Sequence, residues 1–280
     1  MSKSFTSKLI FLGICFLLVS FFVLSSHGSE NITKISKKAE AASSPKNDSS
    51  LAQKIEEAKE LIKKGLDTWD PEPMKKAKDG LLGLLVKEKQ ESLYLLYYIA
   101  LCDYRLANYY FSSTEMARAE AFIKESQKYL EKALDMAPTF GELDALYASM
   151  LGFEMALHNE KAMSLGFQIM QYFGKALEKS PDNPRVHLLK GMSDLFTPKE
   201  YGGGPDVAIK TLSESVELFE KEDIKDSMKP SWGKDEAYTF LGMAYNQKGE
   251  RDSAEGFFRK ALETNPEFGL AIEELRKIEK

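Results

Sequence analysis

The residues able to do chemistry are few and far apart. Three histidines (His27, His158, His187) and two cysteines (Cys15, Cys102) stand in 280 residues. Metal sites need clustered His, Cys or carboxylate ligands at defined spacing, and His158 and His187 are 29 positions apart. No Ser–His–acid or Cys–His set can be assembled for nucleophilic catalysis. Cys102 lies inside the apolar run Leu93–Leu106 and reads as a small core residue. Gly202-Gly203-Gly204 lacks the Lys-Ser/Thr and the preceding strand of a phosphate-binding loop. It reads instead as a loop closing onto a helix with Pro205 at the first position. The acids of Glu56-Glu57 and Glu273-Glu274 are adjacent rather than facing, so no glycosidase-type pair is indicated. The expectation is a non-enzyme without metal or cofactor.

One set is denser. Tyr94, Tyr97, Tyr98, Tyr104, Tyr109, Tyr110 and Phe111 crowd one stretch. They read as the packing of a long helix with hydroxyls at its edge, or as a ligand-facing patch, since tyrosine is enriched in binding sites.

These residues must be carried by helices. From Leu51 onward apolar residues recur at three and four, as in the stripe Met116, Ala119, Ile123, Ser126, Leu130, Ala133, Ala137. All ten prolines fall outside the expected helix interiors. Pro71, Pro184 and Pro205 sit near first-turn positions, where a missing N–H costs nothing. About eleven helices and no sheet are expected. The net charge of −5 argues against a nucleic-acid partner, which needs a concentrated basic surface.

The N-terminus differs from the rest. Lys3 and Lys8 precede the uncharged run Leu9–Leu24 and the small, polar Ser25–Ser29. That is the pattern of a secretory signal cut after Gly28; the rival reading is an uncut membrane anchor, for which 16 residues are a little short. Ile14 before Cys15 and the apolar residues after it do not fit lipidation. Cleavage would leave a charge of −7 and Cys102 as the single cysteine, so no internal disulfide. Residues 29–50 read as a flexible tether, and Asn31 and Asn47 open short glycosylation sequons.

Three helices end alike: Lys132–Pro138 returns as Lys175–Pro181 and as Lys260–Pro266, with Leu130, Phe173 and Phe258 three residues before each alanine. A repeat of helix pairs signals a solenoid. The 34-residue unit Asp235–Phe268 carries Tyr238, Leu241, Gly242, Tyr245, Gly249, Ala254, Phe258, Ala261 and Pro266, and in this it resembles the tetratricopeptide repeat (TPR) family. Earlier units resemble it more loosely, through Gly191, Ala208, Leu212 and Ser215, and through Ala148, Leu151, Phe173, Ala176 and Pro181. The resemblance implies an all-α superhelix of about five pairs over residues 51–280, capped by a charged helix at 267–280. Spacing between the closing prolines places twelve extra residues between Glu220 and Asp235 and five around Thr197–Gly204. Asn183–Arg185 through Gly202–Pro205 also resembles a loop-bearing unit of exported bacterial TPR proteins.

In that family the first helix of each pair lines a concave groove. Carried over, this makes Arg185, Leu188, Met192, Leu195 and Phe196, then Glu236, Thr239, Met243, Asn246 and Gln247, groove residues. Tyr94, Tyr97 and Tyr98 join them as the aromatic patch. Neither set matches the Lys/Asn/Arg clamp for a partner's terminal carboxylate, so an apolar or mixed helical segment is the expected ligand. His187 falls where the motif packs a large residue, which implies a structural role. The expected function is an exported, periplasmic or secreted scaffold that binds another protein or peptide segment. It would touch a membrane only through an uncut N-terminal segment. The alternative is an accessory or small-molecule-binding component of an envelope uptake system.

Overall fold

The computed structural model describes residues 45–87 and 92–279. The signal segment, the first part of the tether and the Asn31 sequon lie outside the described residues. Among the described residues eleven α-helices follow one another: α1 Pro45–Thr68, α2 Pro71–Lys87, α3 Leu93–Ser112, α4 Met116–Met136, α5 Gly141–Leu157, α6 Ala162–Lys179, α7 Pro184–Phe196, α8 Pro205–Lys221, α9 Lys234–Gln247, α10 Arg251–Thr264 and α11 Gly269–Ile278. No strand occurs among the described residues. Helix α1 begins six residues inside the segment expected as tether. None of the described helices is long and apolar enough to cross a membrane.

Local chemistry sets the boundaries. Pro71, Pro184 and Pro205 each open a helix, where their fixed φ suits the first turn. Ser92 caps α3, its Oγ accepting from the Leu95 N–H at 3.2 Å, and Asn183 caps α7, its Oδ1 accepting from Arg185 N–H at 2.9 Å. The triple glycine forms a link onto α8, as its composition suggests. Gly202 and Gly204 have φ of +84° and +98°, open to glycine at low steric cost. A side chain on Gly203 would strike the Thr197 carbonyl.

Successive helices pair as α1/α2, α3/α4, α5/α6, α7/α8 and α9/α10, and α11 packs on α10. The pairs cross where one helix has no side chain. A Cβ on Gly242 would sit 2.6 Å from the Phe258 ring, and one on Gly191 2.6 Å from Leu212. The second helices bury narrow stripes: Ala119, Ile123, Ser126, Leu130 and Ala133 in α4, Ala208, Leu212, Ser215 and Phe219 in α8. Met116 and Ala137, expected at the ends of the α4 stripe, are exposed and half-buried, since they stand at the first position of α4 and just past its last. Ser126 and Ser215 satisfy their buried hydroxyls on backbone carbonyls of the partner helix, Ala100 at 3.0 Å and Pro184 at 2.8 Å. His187 is buried with Nε2 2.7 Å from the Pro181 carbonyl, and Cys102 is buried in the core.

The superhelix meets its own beginning. The end of α1 packs against the last repeat: Leu66 lies on Tyr238, Ala261, Phe268 and Ala271. Asn265 Nδ2 donates to Asp67 Oδ1 at 2.7 Å and to Asp235 Oδ2 at 2.6 Å, while its Oδ1 accepts from Lys63 Nζ at 3.0 Å. Helix α11 abuts α1, where the backbone of Gly269 runs close to the Asp67 carbonyl.

Candidate functional site

Helices α3, α5, α7 and α9 pack side by side in one row, and as the first helices of their pairs they carry the surface expected as the inner face. The link between α8 and α9, residues 222–233, returns across that inner surface. Its end is fixed by Gly233, whose φ of +108° lies in the region that favours glycine and whose missing side chain leaves room for Leu188 and Phe219. Just before it, Trp232 reaches inward. Its indole N–H donates to the Tyr97 hydroxyl at 2.7 Å, and its ring lies 4.6 Å from the Arg105 guanidinium and 5.9 Å from that of Arg185.

The polar groups that Trp232 touches belong to a longer chain of partners. Tyr97 donates in turn to Glu142, whose other oxygen accepts from Asn183 Nδ2 at 2.9 Å. Asn183 therefore caps α7 and ties it to α5. Arg185 forks onto both oxygens of Glu222, at 2.6 and 3.0 Å, at the start of the link. Arg105 forks onto Glu236, at 2.6 Å for each bond. Lys59 of α1 donates to the Ser227 carbonyl, and Met228 packs on the main core.

Burial sets the electrostatics. Glu142 is held above the usual carboxylate range by desolvation, which the positive charge of Arg185 only partly offsets. Desolvation also pushes the Tyr97 and Tyr98 hydroxyls upward, so both stay protonated donors. For Arg185, burial works against the charge, but Glu142 and Glu222 outweigh it and hold the guanidinium protonated.

This geometry divides the expected groove. Tyr97, Tyr98, Arg185, Leu188, Glu236 and Thr239 are buried, beneath or beside the 222–233 link, and offer no free surface. Leu195 is buried too, and Gln247 is exposed. Tyr94, Met192, Phe196, Met243 and Asn246 are half-buried. Met192, Phe196 and Met243 lie against one core group with Leu188, Leu195, Phe240 and Ala244, the rings of Phe196 and Phe240 meeting edge-on at 6.3 Å. The inner face is thus covered over the first turns of α7 and α9 and open over their last turns. The tyrosines of α3 mostly pack. Tyr97 meets Tyr98 edge-on at 5.0 Å and Phe140 at 6.0 Å, and Tyr110 stacks on Phe122 at 5.5 Å.

Arg105, Glu142, Glu222 and Trp232 were not singled out by sequence reasoning. The twelve-residue excess between Glu220 and Asp235 did mark their organiser. The link carries one of the chain's two tryptophans, but spacing alone does not say on which side of the helices an insertion folds. Two open clefts are also present, the larger bordering this network at Asn183 and Glu222. One, of about 700 Å³, is lined by the α6–α7 turn with Leu218, Lys221 and Glu222; another, of about 140 Å³, by charged residues around His158. No group of three or more His, Cys, Asp or Glu residues that could hold a metal occurs among the described residues.

Comparison with known proteins agrees with the fold. A tetratricopeptide repeat model matches residues 235–268. The fold is similar to that of the HusA haemophore from Porphyromonas gingivalis, with TM-score 0.58 and 21% identity, over 71% of this chain and 92% of that one. It is also similar to a thermophilic TPR protein of Thermus thermophilus, with TM-score 0.53 and 16% identity, over 79% of this chain and 98% of that one. The search of curated proteins finds no match.

Proposed function

We propose that this chain, a tetratricopeptide repeat protein, is a non-catalytic scaffold that holds a segment of another protein. The observation that carries this is the half-open inner face, where Met192, Phe196 and Met243 present apolar surface beside the polar Asn246. Such a strip suits a partner segment with apolar anchors at helical spacing. The chain is read as exported on its N-terminal pattern of lysines followed by the Leu9–Leu24 run. Its single remaining cysteine and acidic surface fit that compartment and a protein partner rather than a nucleic acid.

The alternative of a small-molecule carrier gains a fold-level likeness to a haemophore. Its proposed pocket residues are otherwise engaged, because the Tyr97 hydroxyl is spent on Trp232 and Glu142 and the Tyr98 ring packs edge-on against Tyr97. The scaffold reading is therefore preferred. Affinity capture from the native source with wild type and with Phe196→Asp tests it. The expected result is a protein retained by the wild type and lost by the variant, with the helical content of the variant unchanged at the capture temperature. Equal retention by both, or a small molecule and no protein co-purifying, would sink it.

A further inference from the structure

We propose that residues 222–233 are an exchangeable occupant of the inner face, displaced by a partner segment that presents an aromatic ring and a carboxylate to the same groups. This rests on the scaffold reading and names the chemistry of the ligand that the covered half takes.

The link has the construction of a bound peptide. Six of its twelve residues are exposed (Asp223, Lys225, Asp226, Ser227, Lys229 and Ser231). Its backbone adds little, with Lys229 N–H donating to the Asp226 carbonyl at 3.1 Å and Glu222 N–H to Phe219 at 3.4 Å. It is held instead by side chains on the opposing helices: Arg185 on Glu222, Tyr97 with both arginines on Trp232, and Lys59 on Ser227. Segments with few backbone bonds and much exposed length open at lower free energy than the helices they rest on.

The surface left behind specifies the replacement. Arg185 would lose its two bonds to Glu222 and keep only the nearby charge of Glu142, and buried guanidinium donors left without an acceptor favour another carboxylate in that place. The space that Trp232 fills beside the two guanidinium groups takes an aromatic ring. The Tyr97 hydroxyl, already donating to Glu142, accepts a donor on that ring, as it now accepts the indole N–H. The buried Tyr98 hydroxyl has no hydrogen-bond partner among the protein's atoms, so it offers an incoming segment one more polar contact. An acidic, aromatic peptide meets all of these conditions. A basic or purely aliphatic one does not.

The test uses the full chain and a synthetic peptide of residues 221–233. To a Glu222→Gln/Trp232→Ala host, the peptide is expected to bind at least tenfold more tightly than to wild type, read by its indole emission. A peptide with alanine in place of its tryptophan is expected to lose that gain. Equal binding to host and wild type, or no binding to a folded host, overturns the proposal. A second readout needs no variant: exchange of the Trp232 indole N–H in wild type, expected at least a hundredfold faster than the amides of Tyr97 and Leu241. Exchange of all three at one rate means that the link opens only with the whole fold, and also overturns it. Continued partner capture through Phe196 alongside either negative result defeats this inference and leaves the scaffold reading standing.

Discussion

Arg105 and Glu236, 131 positions apart in sequence, face each other as a two-bond fork buried between α3 and α9. For Arg105, burial opposes the charge, and the Glu236 carboxylate more than restores it. Removing one partner of such a pair strands the other in a dry interior, which costs about 3–5 kcal/mol. Arg105→Ala is therefore expected to destabilise by that order in urea titration. Arg105→Met with Glu236→Leu is expected to cost much less than the two single changes added. Additive losses in that cycle would show that the pair is not coupled.

The helix crossings give a contrast between two glycines of the last repeat. A side chain on Gly242 would press into the Phe258 ring, whereas nothing lies within 4 Å of the position a Cβ would take on Gly256, exposed on α10. Gly242→Ala is expected to lose about 1–3 kcal/mol through overpacking. Gly256→Ala should gain about 0.5–1 kcal/mol, since glycine costs a helix interior that much. Thermal melts of the two variants should move in opposite directions.

Asp103 supplies a pH dependence. Burial pushes its carboxyl up to about 7 from an ordinary 3.8, against the pull of Lys78 at 2.7 Å. Between those values the folded chain keeps a proton that the unfolded chain has released, so this group's contribution to stability falls as pH rises from about 4 to about 7. Each tenfold difference in proton affinity between the folded and unfolded chains is worth about 1.4 kcal/mol. The stability difference between wild type and Asp103→Asn is therefore expected to move against the wild type by a few kcal/mol across that window. Urea denaturation of both proteins at pH 4.5 and 7.5 measures it, and a constant difference would contradict the assignment.

Asn265 is the fourth case. It donates to Asp67 and Asp235 and accepts from Lys63. Asn265→Ala leaves two carboxylates without their shared donor, at a cost of about 1–3 kcal/mol. The damage should be local. Hydrogen exchange is expected to speed up in α1 and α11 while α5 and α6 stay protected; uniform acceleration would show that the contact stabilises the whole fold instead.

The repeat was legible because its signals are short-range. Proline at first turns, small residues at crossings and apolar stripes at three and four all act within one helix pair. The closing Lys-Ala-Leu runs and the 34-residue register of Asp235–Phe268 therefore gave the number of helices and their pairing. The inner face was legible only by position. Met192, Phe196, Met243 and Asn246 keep part of their surface, but Arg185, Glu236 and the α3 tyrosines Tyr97 and Tyr98 do not. Their burial depends on Trp232 and Glu222 returning from a segment with no periodicity, and on α1 reaching the last repeat. Neither long-range event leaves a local trace beyond the extra length between Glu220 and Asp235.

The contact of α1 with α11 has a consequence for how such a chain can change. An open array of stacked units tolerates the gain or loss of one unit, because each touches only its neighbours. Here the first and last units also touch, through Asp67, Asn265 and Gly269. Inserting another helix pair between the first and last units would carry Asn265 away from Asp67, and an insertion between α3 and α9 would carry Glu236 away from Arg105 as well. The number of units is then a fixed property of the molecule, and variation is confined to the links between helices.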